Sequence, residues 1–350
     1  MDSKPLLTRL DLPSVSVIIP MKNEEDYVAA CLASVARQDY PKDLIEIIVV
    51  DGMSTDGSVH IVRKFQKKYP HIRLLQNSKR YTTYALNKAI SHASGVVIAR
   101  VDAHCTIYPD YIRRCVETLR DTGAQNVGGL MKPAGDSFME KAIGFAMCSP
   151  FGVGWGQFHY CQYQTFVDTV YLGAYLKDVF DQIGFYDEEA HYSEDDELNY
   201  RLTKAGGRIV LNPQIKSEYR PRSSFKSVGR QFFNYGFGKV RSIKKHGRPA
   251  STRHVIPSAF ILSIILGIAL YLLIHPLYGW LTVLILVTYL LLAIIASLQI
   301  ACCEGWRFFP LLSVIFLTIH VCYGAGFLYG VFHGISSAIR NRANLGKWAF

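Results

Sequence analysis

The chain has 350 residues, of which 50% are hydrophobic and 19% are charged, and its formal net charge is +10. This composition excludes an intrinsically disordered chain and fits a large folded domain combined with membrane-associated segments. The opening residues MDSKPLLTRLDLPS lack the apolar core of a signal peptide, so we expect the folded domain to stay in the cytoplasm.

The first part of the chain, residues 15–128, alternates between short apolar runs and helical patterns. Strands are predicted over 15–20, 45–51, 72–76, 96–102 and 125–130, and helices over 25–37, 57–69, 82–93 and 109–120. Strands that are almost entirely Val and Ile, separated by helices, are typical of a mostly parallel sheet that is covered on both faces. The sequence therefore predicts an α/β fold with a Rossmann-like, mostly parallel sheet.

The patterns are less regular in the next part of the chain. Within 131–165 an irregular loop is predicted around Gly152, Gly154 and Gly156, and a strand is predicted over 169–177. A helix that ends at Gly206 and a strand over 208–213 come next. Residues 223–245 then carry apolar side chains at helical spacing with basic residues between them. A basic amphipathic helix of this kind lies in a bilayer interface or docks on the folded domain, and both interpretations remain open.

The C-terminal third contains three apolar stretches, 256–274, 277–299 and 308–332. Each is long enough to span a bilayer, which needs about 20 residues. Gly326, Gly330 and Gly334 have the G-x-x-x-G spacing that allows close packing of membrane helices. Three full spans would place the basic C-terminal tail outside the cytoplasm, against the positive-inside rule. Either one stretch is re-entrant or interfacial, or the tail is an exception to the rule.

The net positive charge is concentrated in one block. Between Pro213 and His254 there are eleven Lys and Arg residues and one acidic residue. A basic block directly before apolar spans predicts a cytoplasmic location and attraction to anionic lipid. The adjoining apolar spans explain the basic block better than a nucleic-acid-binding patch does, so we expect no nucleic acid partner. We divide the chain into a cytoplasmic domain (1–213), a basic amphipathic region (214–254), transmembrane helices (255–335) and a basic tail (336–350).

Acidic residues stand at three separated places. Asp51 and Asp102 each close an apolar strand, and the run Glu194–Glu197 opens a helix. The carboxyl ends of the strands form the ligand crevice of an open α/β sheet. We therefore expect a site that binds a nucleotide and a divalent cation there. One carboxylate of the helix would act as a general base, with a pKa raised by its acidic neighbours.

Each of these residues also has a structural interpretation. Asp51 would cap a helix, although Ser54 or Asp56 fits that role better. The carboxylates of Glu194–Glu197 would form a solvated first turn capped by Ser193. The sequence alone leaves both interpretations open.

Two further groups fit a metal ion and a phosphate. His104 lies two residues after Asp102, so both side chains would reach one cation, and this ligand pair suits Mn²⁺ or Mg²⁺. Otherwise, His104 is a hydrogen-bonded loop histidine. Lys79 and Arg80 directly precede a predicted helix, where a phosphate group would bind. Their alternative is a solvent-facing turn.

Six segments of the chain resemble the motifs of one enzyme family. They are SVIIPMKNEE, EIIVVDGMSTDGS, NSKRYTTYALNKAI, RVDAH, VYLGAYLKDVFDQIGFYDE and SEDDELNYRL. In this order they resemble the nucleotide-sugar glycosyltransferases of family 2, which have the GT-A fold, over about residues 14–245. Within that family the chain is most similar to membrane-bound enzymes of bacterial exopolysaccharide assembly, of the succinoglycan type.

The resemblance implies a role for each matched residue. The residues implied to bind the donor are Pro20, Asn23, Glu24, Asp51, Arg80 and Asp102. The metal ion would be bound by Asp102 and His104, and Asp195 would be the catalytic base. The residues implied on the acceptor side are Glu194, Gly173 and Gln231. The implied cofactor is Mn²⁺ or Mg²⁺.

The resemblance also implies a reaction. A hexose, with UDP-glucose as the expected type of donor, would move to a hydroxyl of a polyprenyl-linked saccharide at the inner membrane. The transfer would invert the anomeric configuration and form a β-linkage. Membrane lipid and a polysaccharide assembly complex are the further partners that it implies.

The chain departs from the family pattern at two places. His104 replaces the second Asp of the D-x-D motif, which puts metal coordination in question. The segment from Gln231 to Tyr235 stands where processive synthases carry Q-x-x-R-W, which indicates transfer of one sugar or a few. Direct transfer to polyprenyl phosphate and a non-catalytic, sugar-nucleotide-binding scaffold are the alternatives. A dinucleotide dehydrogenase is disfavoured because no G-x-G-x-x-G follows the first strand.

Overall fold

The computed structural model describes residues 12–154, 156–190, 192–247 and 254–345, and these fall into two compact units. The first unit comprises 12–134 and 156–221, and the second comprises 135–154 and the described residues from 222 onward. The helices in chain order are α1 Val28–Ala36, α2 Ser58–Lys68, α3 Thr82–His92, α4 Tyr111–Thr122, α5 Phe138–Met147, α6 Pro150–Val153, α7 Asp178–Ile183, α8 Glu194–Lys204, α9 Phe225–His246, α10 Ile256–Leu273, α11 Leu277–Glu304 and α12 Phe309–Leu345.

The first unit is built on one sheet. Its described strands are β1 Val15–Met21, β2 Ile45–Asp51, β3 Ile72–Gln76, β4 Val97–Arg100, β5 Cys105–Ile107, β6 Asn126–Pro133, β7 Thr165–Phe166, β8 Tyr171–Leu176 and β9 Ile209–Tyr219. The strand order is β3-β2-β1-β4-β8-β6-β9-β5, and β7 pairs with β9. The pairings make β1, β2, β3, β4, β6 and β9 run in one direction. The predicted α/β fold with a mostly parallel sheet is confirmed.

The apolar composition of the central strands explains why they lie in the middle of the sheet. β2 and β4 are buried along almost their whole length, and β1 has a single half-buried residue, Pro20. Runs of Val and Ile of this kind are typical of strands that are covered on both faces. Because β1 lies between β2 and β4 and all three are parallel, their carboxyl ends meet at one edge of the sheet.

Two predicted element boundaries were wrong, and one short strand was missed. Helix α1 begins at Val28 rather than near residue 25, because the N–H groups of Glu24 and Glu25 donate to the side chains of Ser58, the first residue of α2, and of Asp56 before it. Strand β9 continues past residue 213 to Tyr219, since alternate residues of its second half are buried. The short strand β5 was not predicted, because three residues carry little periodicity.

Helix α5 was not predicted, and α6 occupies the start of the loop predicted around Gly152, Gly154 and Gly156. The described residues 156–164 contain no strand or α-helix, so the rest of that loop is confirmed. A capping box starts α5. The Ser137 hydroxyl accepts from the Glu140 N–H, and the Glu140 carboxylate accepts from the Ser137 N–H. This pattern marks the start of a helix. The two helices belong to the second unit, whereas the sequence placed the whole of 1–213 in one domain.

The second unit contains the three predicted apolar helices. Ile256–Leu273, Leu277–Glu304 and Trp306–His333 are each long and apolar enough to cross a membrane. Helices α5 and α6 pack on them, with the ring of Phe138 stacked 4.6 Å from that of Phe308. A polar link joins the same helices, because His320 is hydrogen-bonded both to the Phe151 carbonyl and to the Tyr289 hydroxyl. The predicted basic tail, 336–350, lies outside the residues whose side chains the structure describes.

The predicted G-x-x-x-G spacing serves packing against the basic amphipathic helix. A Cβ atom added to Gly326 of α12 would lie 2.0 Å from the Phe233 carbonyl oxygen of α9. A Cβ atom added to Gly236 of α9 would lie 2.0 Å from the Tyr323 carbonyl oxygen of α12. The two helix backbones therefore touch, which only glycine permits at these positions. Gly330 of α12 faces the Val240 side chain at a looser 3.1 Å.

We predict that Gly326→Ala destabilises the second unit more than Gly330→Ala. The added methyl group would meet backbone at Gly326 and a side chain at Gly330, and overpacking of this kind costs about 1–3 kcal/mol. Thermal unfolding of the purified protein in detergent measures the difference. Equal midpoints for the two variants would show that α9 and α12 do not pack through Gly326.

Candidate active site

The carboxyl ends of β1, β2 and β4 bring together most of the residues singled out in the sequence. Asp51 ends β2 and pairs with Met21 at the end of β1. Arg100 ends β4 and pairs with Ile18 of β1, so Asp102 follows at the same edge. In an open α/β sheet this edge is where ligands bind.

Side chains tie the loops after β1 and β2 to each other. The Asn23 N–H donates to the Ser54 hydroxyl at 2.9 Å, and the Asn23 side-chain oxygen accepts from the Thr55 N–H at 2.8 Å. The Glu24 N–H donates to the Ser58 hydroxyl at 2.8 Å. Asn23 has a φ of 55°, a conformation that asparagine tolerates better than most residues. The predicted donor-binding residues Asn23 and Glu24 therefore lie on a loop whose backbone is held in place.

Asp51 is buried, and both of its carboxylate oxygens accept from the Ser54 N–H, at 3.2 and 3.3 Å. The helix-capping interpretation of Asp51 is not what the structure shows. Gly57 occupies the N-cap position of α2, and the Asp56 carboxylate accepts from the Ser58 N–H instead. Asp51 thus keeps acceptor capacity at the mouth of the site.

Arg80 lies on a turn that starts next to Asp51. The Asn77 N–H donates to the Asp51 carbonyl, and the Asn77 side chain binds the Lys79 N–H and the Tyr81 carbonyl. These bonds hold Arg80 at a φ of 67°, with its side chain exposed. The turn stands directly before α3, as predicted, and a role in phosphate binding stays a prediction.

His104 is hydrogen-bonded within the site. Its Nδ1 atom lies 3.1 Å from Oε1 of Glu24, which joins the loop after β4 to the loop after β1. The interpretation as a hydrogen-bonded loop histidine therefore describes the structure, and metal binding by His104 stays a prediction. Glu24 and His104 lie together, although the sequence separates them by eighty residues.

Arg100 connects Asp102, on the loop after β4, to the acidic first turn of α8. Its Nε donates to Asp102 at 2.9 Å, its Nη1 to Asp195 at 2.7 Å and its Nη2 to Glu194 at 3.0 Å. The side chain of Arg100 is only 7% exposed. The structure thus brings together Asp102, Glu194 and Asp195. Sequence reasoning missed Arg100, because it lies inside the run predicted as the strand 96–102.

Each of the three carboxylates uses one oxygen for Arg100. On Asp195 that oxygen is Oδ1, which also accepts from the Tyr186 hydroxyl at 3.2 Å. Among the described residues, no hydrogen bond reaches Oδ2 of Asp195 or Oδ2 of Asp102. The hydrogen bonds to Oδ1 fix the orientation of the Asp102 and Asp195 carboxylates, and Oδ2 of each keeps its acceptor capacity.

The environment separates the pKa values of the two aspartates. Burial raises the pKa of Asp195 to about 7, with Arg100 opposing the shift and Glu194 adding to it. Burial also raises the pKa of Asp102, but the charges of Arg100 and His104 outweigh it, so the net pKa is below the ordinary value. Asp195 is therefore suited to exchange a proton near neutral pH, and Asp102 is suited to remain ionised.

Glu197, the last of the four consecutive acidic residues, has a different partner from Glu194 and Asp195. Glu197 is 2% exposed and forms a two-oxygen ion pair with Arg201. Arg201 also donates to the carbonyls of Ile183, Gly184 and Phe185. Glu197 therefore has a structural role, while Glu194 and Asp195 face Arg100. Ser193 occupies the N-cap position of α8, but its side chain makes no capping bond within the described first turn.

The segment before α8 is held so that Tyr186 reaches Asp195. The Asn87 side-chain amide binds both the N–H and the carbonyl of Tyr186, each at 2.9 Å. Arg201 fixes the three residues that precede Tyr186. Sequence reasoning did not single out Tyr186, Asn87 or Arg201, because their function depends on tertiary contacts.

The other two predicted acceptor-side residues, Gly173 and Gln231, lie on β8 and α9. Gly173 is buried in β8, where an added Cβ atom would lie 2.6 Å from the Asn126 side-chain oxygen, so packing alone requires glycine. Gln231 lies on α9 in the second unit, where its side chain donates to Tyr235 and accepts from Arg222. Roles for both residues in acceptor binding stay predictions.

The residues at the strand ends fit a divalent cation that shares its coordination with a ligand. In the part of the chain that the structure describes, no three Asp, Glu, His or Cys side chains converge as a metal site. Asp102 offers one unbonded carboxylate oxygen, and His104 offers an imidazole. Mg²⁺ and similar cations are commonly held by one or two protein ligands together with substrate phosphates. This donor set fits such an ion.

Comparisons with known proteins agree with this geometry. The family model described as Glycosyl transferase family 2 matches residues 16–184. The succinoglycan biosynthesis protein ExoA of Rhizobium meliloti (strain 1021) is 29% identical over 313 residues, which cover 89% of this chain and 93% of that protein. The dolichyl N-acetyl-alpha-D-glucosaminyl phosphate 3-beta-D-2,3-diacetamido-2,3-dideoxy-beta-D-glucuronosyltransferase of Methanococcus voltae is 31% identical over 239 residues, which cover 66% of this chain and 74% of that protein.

A solved structure supports the same fold. The mannosyltransferase PcManGT from Pyrobaculum calidifontis, in complex with GDP-Man and Mn²⁺, matches with a TM-score of 0.57 and 20% identity, over 89% of this chain and 87% of that one. The fold and the relatives define a glycosyltransferase with a GT-A fold. More narrowly, the chain belongs to glycosyltransferase family 2. The resemblance inferred from the sequence motifs is confirmed.

We predict that Arg201→Met strongly destabilises the first unit. The change would leave the buried Glu197 carboxylate without its partner, and breaking a buried ion pair costs about 3–5 kcal/mol. The matched control is Arg113→Met, which removes ion pairs of a side chain that is 34% exposed, worth about 0–1 kcal/mol. Calorimetric unfolding measures both losses. Similar losses for the two variants would contradict the structural role of the Glu197–Arg201 pair.

Proposed function

We propose that this protein is an inverting, metal-dependent glycosyltransferase that moves a hexose from a nucleotide sugar to a hydroxyl of a lipid-linked saccharide. The observation that carries the proposal is the arrangement of Asp195, whose Oδ1 is fixed by Arg100 and Tyr186 while no described residue is hydrogen-bonded to Oδ2. The same Arg100 fixes Asp102 at the edge of the sheet where a donor would bind.

The proposed reaction assigns a task to each part of the site. The loops that carry Asn23, Glu24 and Asp51 would hold the nucleotide, which we expect to be uridine. Oδ2 of Asp195 would take the proton of the acceptor hydroxyl as its oxygen attacks the anomeric carbon. The diphosphate would leave on the opposite side, so the configuration inverts and an α-linked donor gives a β-linked product. A divalent cation, when bound by Asp102 and His104, would supply positive charge to the leaving diphosphate.

Several features support a lipid-linked acceptor and a membrane location. The chain contains three helices that are long and apolar enough to cross a membrane. The Rhizobium relative is named for succinoglycan biosynthesis, and the Methanococcus relative is named for transfer to a dolichyl sugar phosphate. By analogy, this enzyme would act in polysaccharide assembly at the cytoplasmic face of the inner membrane. The absence of a Q-x-x-R-W sequence favours addition of one sugar or a few.

A donor screen of wild type and two variants tests the proposal. UDP-glucose, UDP-galactose, UDP-GlcNAc and GDP-mannose would each be supplied with Mn²⁺ or EDTA and a polyprenyl-linked saccharide. We expect wild type to use one UDP-sugar only with the cation. Asp195→Asn would abolish transfer and keep nucleotide binding, whereas Asp102→Ala would weaken cation-dependent binding.

Four results would contradict these assignments. Nucleotide binding without turnover of any donor by wild type would favour the non-catalytic scaffold. Loss of nucleotide binding in Asp195→Asn, or unchanged binding in Asp102→Ala, would remove the role assigned to that residue. Transfer to polyprenyl phosphate that carries no sugar would favour the alternative acceptor.

The pH dependence of transfer provides a separate prediction. A general base works only when deprotonated, so kcat/KM should fall tenfold per pH unit below the Asp195 pKa of about 7 and stay level above it. The groups that act on Asp195 are Arg100, Glu194, Asp102, Asp196 and Tyr186. Tyr186→Phe removes a hydrogen bond to the ionised carboxylate, so the midpoint should move to higher pH.

Initial rates between about pH 5 and pH 9 measure this profile. A level profile for wild type across that range would show that Asp195 is not the base in the rate-determining step. An unchanged midpoint in Tyr186→Phe would show that the tyrosine hydroxyl does not bind the ionised carboxylate.

A further inference from the structure

We propose that Arg100 is a positioning residue that couples the donor side of the active site to the catalytic base. The inference rests on the proposed function, in which Arg100 holds Asp102 and Asp195, and it gives Arg100 a measurable effect on both donor binding and turnover. Among the described residues, the Arg100 side chain donates no hydrogen bond to the loops that carry Asn23, Glu24 and Asp51. Its nitrogen atoms bind three carboxylates that come from two distant parts of the sequence.

The geometry of the guanidinium explains why an arginine stands here. Its Nε, Nη1 and Nη2 atoms are spread in one plane, so each can bind a different carboxylate. Nε binds the loop after β4, and the two Nη atoms bind the first turn of α8. A lysine ammonium carries all of its donors on one atom, and its side chain differs in length from that of arginine. It would keep the charge but not the three-way arrangement.

The arginine also selects which carboxylate oxygens stay available. It binds Oδ1 of both Asp102 and Asp195, so the unbonded Oδ2 atoms are the ones left for a cation and for the acceptor hydroxyl. Without the guanidinium, the carboxylates of Asp102, Glu194 and Asp195 would repel one another across a short gap. The first turn of α8 would then move relative to the end of β4.

Stability alone does not explain this cluster. Charged groups lose hydration when they are buried, and well-packed apolar side chains often stabilise a protein as much as a buried ion network does. Arg100 has a side chain that is 7% exposed, and its three partners are between 14% and 24% exposed, so they face the open edge of the site. That arrangement fits a cluster whose outer oxygens meet ligands.

The coupling predicts a double effect that neither aspartate variant shows alone. Arg100→Lys should lower kcat about 100-fold, because a shift of about 1 Å in a catalytic group has that effect. It should also weaken binding of Mn²⁺ with UDP about tenfold, because Asp102 loses the group that orients it. Asp195→Asn should affect kcat alone, and Asp102→Ala should mainly affect binding.

The experiment compares purified full-length wild type, Arg100→Lys, Arg100→Gly and Arg113→Lys in detergent. Arg113 is the matched control, because it also binds Asp39 and Glu117 but lies at the surface. Turnover, calorimetric binding of Mn²⁺ with UDP, and the thermal midpoint would be measured for each. Arg100→Gly would be measured with and without added guanidinium, which fits the space that the side chain leaves.

Loss of both turnover and binding in Arg100→Lys, with wild-type values in Arg113→Lys and rescue of Arg100→Gly by guanidinium, would support the proposal. Wild-type turnover in Arg100→Lys would overturn it. Guanidinium that restores the thermal midpoint without restoring turnover would also overturn it, since Arg100 would then be only structural.

The outcomes separate this inference from the proposed function. If wild type shows no turnover with any donor, the proposed function fails, and the binding measurement still decides the coupling. Weaker binding of Mn²⁺ with UDP in Arg100→Lys than in Arg113→Lys would then support the link to Asp102. Equal binding in the two variants would overturn it.

Discussion

Arg100 ends a strand whose other residues are apolar, and its guanidinium lies among three carboxylates at the edge of the sheet. A buried charge is tolerated only where partners compensate for lost hydration. Each partner therefore has to stay where it is: Asp102 on the loop after β4, and Glu194 and Asp195 on the first turn of α8. This one constraint fixes how the parallel half of the sheet meets the helix that carries the proposed base.

Further hydrogen bonds fix the segments that carry the partners of Arg100. Arg201 binds the buried Glu197 and three backbone carbonyls, and Asn87 binds both polar groups of the Tyr186 backbone. Tyr186 in turn donates to Asp195. Because these bonds use side chains from α3 and α8, the position of one carboxylate oxygen depends on packing across the first unit.

The sequence predicted the parts of the molecule whose signal is local. The predicted strands at 45–51 and 96–102 correspond to β2 and β4, with Asp51 at the end of β2 and Asp102 two residues past β4, and the motifs identified the family correctly. Helix α5 was missed because its capping box, Ser137 with Glu140, was not recognised in the sequence. Arg100 was missed for a different reason. An arginine in a strand has no meaning until the fold shows that residues almost one hundred positions later lie against it.

The same tertiary contacts explain how similar residues acquire different chemistry. Asp102 and Asp195 share Arg100, but they differ in what else surrounds them. Glu194 next to Asp195 adds to the effect of burial and raises its pKa, whereas His104 near Asp102 adds to the effect of Arg100 and lowers its pKa. Groups whose environments separate their pKa values in this way are suited to different tasks in one reaction. The lower-pKa carboxylate is suited to a cation and a donor, and the higher-pKa carboxylate is suited to accept a proton.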